Sequence, residues 1–97
     1  MFIAMTIGVL EVEMRIPDAT SLKSKRMVVK SIKDRIRNKF NVSVSEISHL
    51  SSRRNCLLGV VHLSTARSFT NHVLSDVLKF IQSCRQVELV DVQMSML

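Results

Sequence analysis

Residues 8–17 read GVLEVEMRIP, and this stretch decides how the fold begins. Apolar residues occupy every second position from Leu10 to Ile16, and two glutamates and an arginine stand between them. This period of two is typical of a β-strand with one buried face. Pro17 ends the pairing because proline has no N–H to donate to a neighbouring strand. The sequence therefore predicts a first strand from Ile3 to Ile16.

A helix is predicted next, from Leu22 or Lys23 to Phe40. The preceding loop, residues 18–21, ends in Ser21 and offers side chains that can cap a helix, and Asn41 is a plausible stop. The apolar residues of this segment recur at helical spacing, which gives one buried stripe. They are Val28, Val29, Ile32, Ile36 and Phe40.

The second half of the chain repeats the alternation of strand and helix. A strand from Val42 to Ser45, continuing to His49, is followed by a polar hairpin loop, Leu50–Asn55, and by a third strand, Cys56–Ser64. A second helix is predicted from Ala66 to Cys84. Its expected buried residues are Phe69, Val73, Val77, Phe80, Ile81 and Cys84. The last strand, Val87–Leu97, is expected to present Val90, Val92, Met94 and Met96 on one face.

The order strand–helix–strand–strand–helix–strand predicts one α+β domain over residues 1–97 with a ferredoxin-like βαββαβ fold. Its four-stranded antiparallel sheet would carry both helices on one face, with the first and third strands central. The central strands are apolar on both faces near Ile7, Val9, Leu58 and Val60. We therefore expect a second copy to cover the open face as a homodimer, unless this apolar surface is simply exposed.

The positive charge is concentrated on the first helix. The chain has a formal net charge of +6, and the segment from Arg15 to Lys39 contains nine basic and two acidic residues. On a helical wheel, five of the basic residues fall within an arc of about 80°. They are Lys23, Arg26, Lys30, Lys33 and Arg37. Such a block suggests an anionic partner, and the alternative is a solvated helix face.

The start of this helix strengthens the suggestion. Cations near a helix N-terminus are unfavourable by roughly 0.3–1 kcal/mol each, whereas phosphate is favoured there. The alternative is that these side chains swing into screened solvent. Arg53 and Arg54 in the hairpin loop could extend the basic surface. The predicted nucleic-acid-binding residues are thus Lys23, Lys25, Arg26, Lys30, Lys33, Arg37, Arg53 and Arg54.

Several other functions lack their usual signals. Tyrosine and tryptophan are absent, so bases are not expected to stack on the sheet. Cys56 and Cys84 lack metal or redox spacing, and the three histidines are scattered. Glu11 and Glu13 could form a carboxylate pair, although charge pairing on a solvated face is the simpler interpretation. We expect no catalytic residue, no metal and no cofactor.

The cellular location is predicted from the cysteines and the N-terminus. Free thiols suit a reducing cytoplasm. The apolar opening, residues 1–5, has no basic flank and is soon interrupted by glutamates, so it is expected to be neither a signal peptide nor a membrane span. The sequence therefore predicts a cytoplasmic protein without a membrane partner.

Several phrases along the chain resemble the YlxP-like family of small bacterial proteins of unknown function. They are residues 8–13, 15–17, 21–26, 40–44, 58–60 and 87–91. The resemblance implies a ferredoxin-like fold but no known activity. Family members are often encoded beside translation and ribosome-maturation genes, including that for ribosome-binding factor A. Many relatives carry an acidic or aromatic-containing hairpin, whereas residues 48–54 are basic here.

Together these observations predict a non-enzymatic accessory protein that contacts phosphates of ribosomal RNA or the small ribosomal subunit through its first helix. Phosphate contacts give affinity with little sequence preference. The leading alternative is a protein-interaction or oligomerisation module whose basic helix docks on an acidic partner surface, with no nucleic-acid role. A third alternative is an enzyme acting on a phosphorylated small molecule.

Overall fold

A computed structural model describes residues 4–97 and gives the predicted order of elements. Each observed boundary of a strand or helix lies within three residues of the predicted one. The predicted first residue of the first strand, Ile3, lies outside the described residues. The elements are β1 (Thr6–Arg15), α1 (Leu22–Lys39), β2 (Ser43–Ser48), β3 (Asn55–Ser64), α2 (Arg67–Gln82) and β4 (Glu88–Met96).

The four strands form one antiparallel sheet in the order β2-β3-β1-β4. The two central strands are β1 and β3, as predicted, and Val9 lies opposite Val61 in their register. The even-numbered residues from Gly8 to Met14 on β1 and from Cys56 to His62 on β3 are buried beneath the helices, while the odd-numbered residues face the open side. The α+β ferredoxin-like fold is therefore confirmed.

The core lies between the sheet and the two helices. Leu10, Leu58, Ile32 and Leu74 are all fully buried there, and each such side chain stabilises the fold by about 1.5–3 kcal/mol. Helix α2 packs closely on the sheet at Gly8, where an added Cβ would overlap the Thr70 methyl group and lie 2.8 Å from Leu74 Cδ1. A larger residue at position 8 would force these two side chains to shift.

Two β-bulges lie on the edge strands and change which residues face the core. In β4, Asp91 pairs with Glu13 and Leu89 with Met14, so Val90 is the extra residue between them. Val90 is 52% exposed, and Leu89 takes the inward position. The prediction that Val90 shares the inward face was therefore wrong. The pattern could not reveal it, because a bulge breaks strict alternation.

The second helix is rotated relative to its predicted orientation. Phe69, expected in the core, is 55% exposed, whereas Thr70 and Leu74 are fully buried together with Val77 and Ile81. Thr70 can lie against the sheet because its hydroxyl bonds to two neighbours, His62 and Ser64. A hydroxyl that is satisfied in this way fits a core position that an apolar pattern assigns to phenylalanine.

Both cysteines are buried and free, as the sequence predicted. Burial, followed by the nearby Glu46 carboxylate, raises the pKa of the Cys56 thiol to about 12. This thiol therefore stays protonated and unreactive at neutral pH. Neither helix within residues 4–97 combines the length and apolarity needed to cross a membrane.

Candidate nucleic-acid interface

The N-terminus of α1 is capped by two serines, Ser21 and Ser24. The Ser21 hydroxyl accepts a hydrogen bond from the Ser24 amide at 3.0 Å, and the Ser24 hydroxyl accepts bonds from the amides of Thr20 and Ser21 at 3.1 Å. This reciprocal arrangement is a capping box. Of the amides in the first turn of α1, the capping box occupies that of Ser24, so an anion at this end would have the Leu22 and Lys23 amides as well as side chains to contact.

The predicted basic stripe lies on the flank of α1 that overhangs the sheet edge. Lys23, Arg26, Lys30 and Arg37 are exposed, and Lys33 is half-buried. Arg37 shows where the flank lies, because its guanidinium donates a 3.0 Å hydrogen bond to the Val44 carbonyl of edge strand β2. We call these five residues the α1 stripe. An arginine at this position also covers part of the unpaired strand edge.

One carboxylate lies within the α1 stripe. Asp34 accepts a 2.7 Å hydrogen bond from Lys30 and lies 3.5 Å from Arg37. The Lys30 hydrogen bond and the surrounding positive charges lower the pKa of Asp34 below its ordinary value. Within residues 4–97, no carboxylate lies within 4.0 Å of Lys23, Arg26 or Lys33. The stripe therefore keeps a net positive charge.

Lys25 does not contact solvent, so its predicted role in phosphate binding was wrong. Its side chain is 0% exposed, and its ammonium group donates to Glu46 at 2.5 Å and to the His49 carbonyl at 2.9 Å. The wheel position of Lys25 belongs to the buried face, alongside Val29 and Ile32. A buried lysine needs such partners, because desolvation of an unpaired charge is costly.

The Lys25 contacts hold the hairpin loop against α1. His49 has a φ of 66°, in the left-handed region, and its carbonyl also accepts a 2.9 Å bond from the Ser52 amide. The loop then returns to the β1–α1 connection, where the Arg54 carbonyl accepts a 2.7 Å bond from the Ile16 amide. The structure thus brings Arg54 close to the start of the α1 stripe. Arg53 is exposed in the same loop.

The open face of the sheet has the opposite charge. Glu11 and Glu13 on β1 point to this side, and their register partners on β4 are Gln93 and Asp91. With Leu57 these side chains line a shallow cavity of about 190 Å³. At the other end of the face the residues are apolar, and Leu63 is 58% exposed. Phosphate would be repelled from the acidic end.

A buried polar chain joins β3 to α2. His62 Nδ1 lies 2.9 Å from the Thr70 hydroxyl, which lies 2.6 Å from the hydroxyl of Ser64. Ser64 in turn donates to the Ala66 carbonyl at 2.9 Å, so this chain fastens the start of α2. His62 and Ser64 lie on β3 and Thr70 lies on α2, so only the fold shows that they are hydrogen-bonded to one another. Residues 4–97 contain no group of three histidine, cysteine or acidic side chains placed to hold a metal ion.

Three further cations gather where the helices meet. Arg35 and Lys39 of α1 lie over the ring of Phe80 in α2, and Lys79 lines the same groove. They were not predicted as site residues, because Arg35 and Lys39 lie outside the arc of the α1 stripe and Lys79 lies on α2. The signal that could have indicated them is a set of basic residues on both helices close to an aromatic residue, Phe80.

Comparisons with known proteins agree with this architecture. A family model described as "Protein of unknown function (DUF503)" matches residues 7–94. The "Uncharacterized protein YlxP" of Bacillus subtilis (strain 168) is 44% identical over 82 residues, covering 84% of this chain and 89% of the relative. The de novo designed protein Foldit4 has a TM-score of 0.56 at 14% identity, covering 92% of this chain and 96% of the design, which shows the fold alone. The resemblance to YlxP-like proteins is confirmed, and the chain belongs to the DUF503 family.

Proposed function

We propose that this protein is a non-enzymatic accessory factor that contacts the phosphates of ribosomal RNA or the small ribosomal subunit through the α1 stripe. The observation that carries the proposal is the separation of charge between the two sides of the molecule. Apart from Lys25, which is buried with Glu46, seven lysines and arginines lie on α1 and two on α2, against one aspartate on each helix. Four carboxylates and Arg15 lie on the open face. A phosphate backbone would therefore approach the helix side.

The contacts fall on side chains that can reach a ligand. Lys23, Arg26 and Lys33 have no acidic partner within residues 4–97, and Arg54 extends the surface from the hairpin. Each phosphate contact with single-stranded RNA adds about 0.7 to the log–log salt slope. Binding would be weak, sensitive to salt and largely independent of base sequence.

The direct test is RNA binding by a triple charge reversal, Arg26→Glu, Lys30→Glu and Lys33→Glu, measured over a salt series. We expect affinity to collapse and the salt slope to fall. The matched control is Arg15→Glu, Arg67→Glu and Arg85→Glu, which changes the net charge equally at exposed positions elsewhere. Equal binding by the two triple variants would reject the α1 stripe as the site.

A gain-of-binding variant makes the test sharper. Asp34→Asn would release Lys30 and Arg37 from their carboxylate partner, so RNA affinity should increase. Because Asp34 is exposed, this substitution should leave the fold intact. Unchanged or weaker RNA binding by Asp34→Asn would contradict a role for the stripe.

Co-sedimentation with ribosomal subunits separates the RNA proposal from its main rival. Association that is lost after ribonuclease treatment supports RNA contacts. Capture that persists after ribonuclease treatment would instead support docking of the basic helix on an acidic protein surface. Cytoplasmic location is part of the proposal, and the two free thiols are consistent with a reducing compartment.

A second copy of the chain is the proposed occupant of the apolar end of the open face. Ile7, Val9, Val61 and Leu63 lie together there on adjacent strands. Glu11 and Glu13 adjoin this end, and stacking them on their counterparts would bring like charges together. We therefore favour a staggered homodimer in which the apolar ends overlap and the acidic ends point apart.

Light scattering tests this homodimer. Leu63→Glu should give a monomer, whereas Gln93→Glu, an equal charge change at the acidic end, should remain dimeric. A wild-type monomer at high micromolar concentration would contradict the proposed interface.

A further inference from the structure

The groove between α1 and α2 has features that the α1 stripe lacks. Arg35 places its guanidinium carbon 4.9 Å from the centroid of the Phe80 ring, and Lys39 places its ammonium nitrogen 5.4 Å from the same centroid. Both distances are typical of cation–π contacts. Lys79, the residue before Phe80, lines the groove, whose volume is about 410 Å³. Arg35 does not line the groove itself but adjoins it through its contact with Phe80, and we call Arg35, Lys39, Lys79 and Phe80 the interhelix cleft.

The aromatic rings hold two of these cations, Arg35 and Lys39, in place. Phe40 meets Phe80 edge to face, with ring centroids 6.4 Å apart and planes at 64°, which restrains the Phe80 ring. Lys39 lies 5.8 Å from the Phe40 ring as well. Because long side chains lose rotamer freedom when they bind a ligand, cations that are already positioned bind at a lower entropic cost.

The charge of the cleft is only weakly neutralised by the chain itself. Across the described range 4–97, no carboxylate lies within 4.0 Å of Arg35, Lys39 or Lys79. Asp76 also lines the groove, within 3.3 Å of His72 of the same helix, so one carboxylate faces a groove that the three cations border. A favourable helix dipole accounts for Lys39 and Lys79 near helix C-termini. It does not account for the convergence of Arg35 on the same aromatic ring.

We infer that the interhelix cleft binds a nucleotide of single-stranded RNA. The three cations contact the phosphodiester, and the base stacks against the Arg35–Phe80 pair, as bases do on aromatic rings and guanidinium planes. This inference rests on the proposed function and adds a second contact on the opposite flank of α1. A strand that binds both sites must cross a helix about 10–12 Å thick. The cleft therefore favours single strands over duplexes.

The test compares oligouridylate about 12 nucleotides long with duplex RNA. The cleft variant is Arg35→Gln, Lys39→Gln and Lys79→Gln. Because the three cations share one phosphodiester, we expect about a five-fold loss of single-strand affinity at 0.1 M salt and a salt slope lower by about 0.7. Duplex binding should change little. Phe80→Leu, which keeps the net charge, should also weaken single-strand binding.

The control is Arg15→Gln, Arg67→Gln and Arg85→Gln, with the same change of net charge; thermal unfolding checks that every variant is folded. If the cleft triple unfolds, Lys39→Gln alone serves as the second variant, with a loss of single-strand affinity below about five-fold expected. Single-strand binding by the cleft variant equal to that of the control would overturn the cleft and leave the α1 stripe standing. If the wild-type protein binds neither RNA, both the proposed function and the cleft are rejected.

Discussion

A charged side chain has different surroundings on the two faces of the sheet. On the helix-covered face, Glu46 is almost fully enclosed and forms a close pair with buried Lys25. On the open face, Glu13 is 40% exposed, and its carboxylate lies 3.9 Å from His49 Nε2. Water screens the second pair but not the first, so the same type of residue is structural on one face and available to solvent on the other.

The largest expected effect tests this contrast directly. Glu46→Gln leaves the Lys25 charge buried without its counterion, and we expect a loss of about 3–5 kcal/mol in the free energy of unfolding. Glu13→Gln on the open face should cost less than about 1 kcal/mol. Urea denaturation measures both losses.

A double variant isolates the cause of that loss. Lys25→Met combined with Glu46→Leu removes both charges and should recover most of the stability, because well-packed apolar residues replace buried ion pairs at little cost. If Glu46→Gln and Glu13→Gln lowered the free energy of unfolding by similar amounts, burial on the covered face would not increase the cost of losing a counterion.

The glycines of the two faces give the next largest difference. In Gly8→Ala the new methyl group would meet Thr70 and Leu74 in the packed layer, so we expect a loss of about 1–3 kcal/mol. In Gly59→Ala it would meet the Ile47 side chain, which is exposed at a bulge and can move. The expected change there is within about 0.5 kcal/mol. Thermal unfolding of the pair measures the contrast, and equal losses would contradict it.

Thiol reactivity compares the two faces by the rate of a chemical reaction. In a Cys84→Ser background, Cys56 on the covered face has a pKa of about 12 against an ordinary 9.0, so its thiolate fraction at pH 8 is lower by about a thousand-fold. A thiol introduced on the open face by Ser95→Cys should react at an ordinary rate. Because the folded state keeps the Cys56 proton, stability should fall as pH rises above 9.0. Comparable alkylation rates would contradict this view.

The smallest effect concerns the exposed Asp34 pair. The pKa of Asp34 is lowered in the folded state, so its contribution to stability is present above the ordinary value of 3.8 and is lost as pH falls below it. Asp34→Asn should reduce the fall in melting temperature at acidic pH, and it should leave the melting temperature at neutral pH nearly unchanged. An identical acid dependence in both proteins would show that the pair is too weak to matter.

Much of the fold could be predicted because its signals are local. Alternation from Leu10 to Ile16, the spacing of Val29, Ile32 and Ile36, and the scarcity of glycine and proline determined the order of elements and most of their bounds. Two features escaped prediction. A bulge at Val90 breaks alternation without a sequence signal. Thr70 of α2 lies in the core instead of Phe69 because its hydroxyl is hydrogen-bonded to His62 and Ser64 of β3.

The candidate site was predictable as a charge pattern but not as a surface. The sequence by itself determined that α1 is amphipathic and strongly basic, because helical spacing and charge are local properties. Only the tertiary structure decided that Lys25 pairs with Glu46 beneath the hairpin, that Arg54 approaches α1, and that Arg35 and Lys39 meet Phe80. The reason is physical: burial and electrostatic pairing depend on which distant residues the chain brings into contact, and these contacts set whether a cation stabilises the fold or is free to bind.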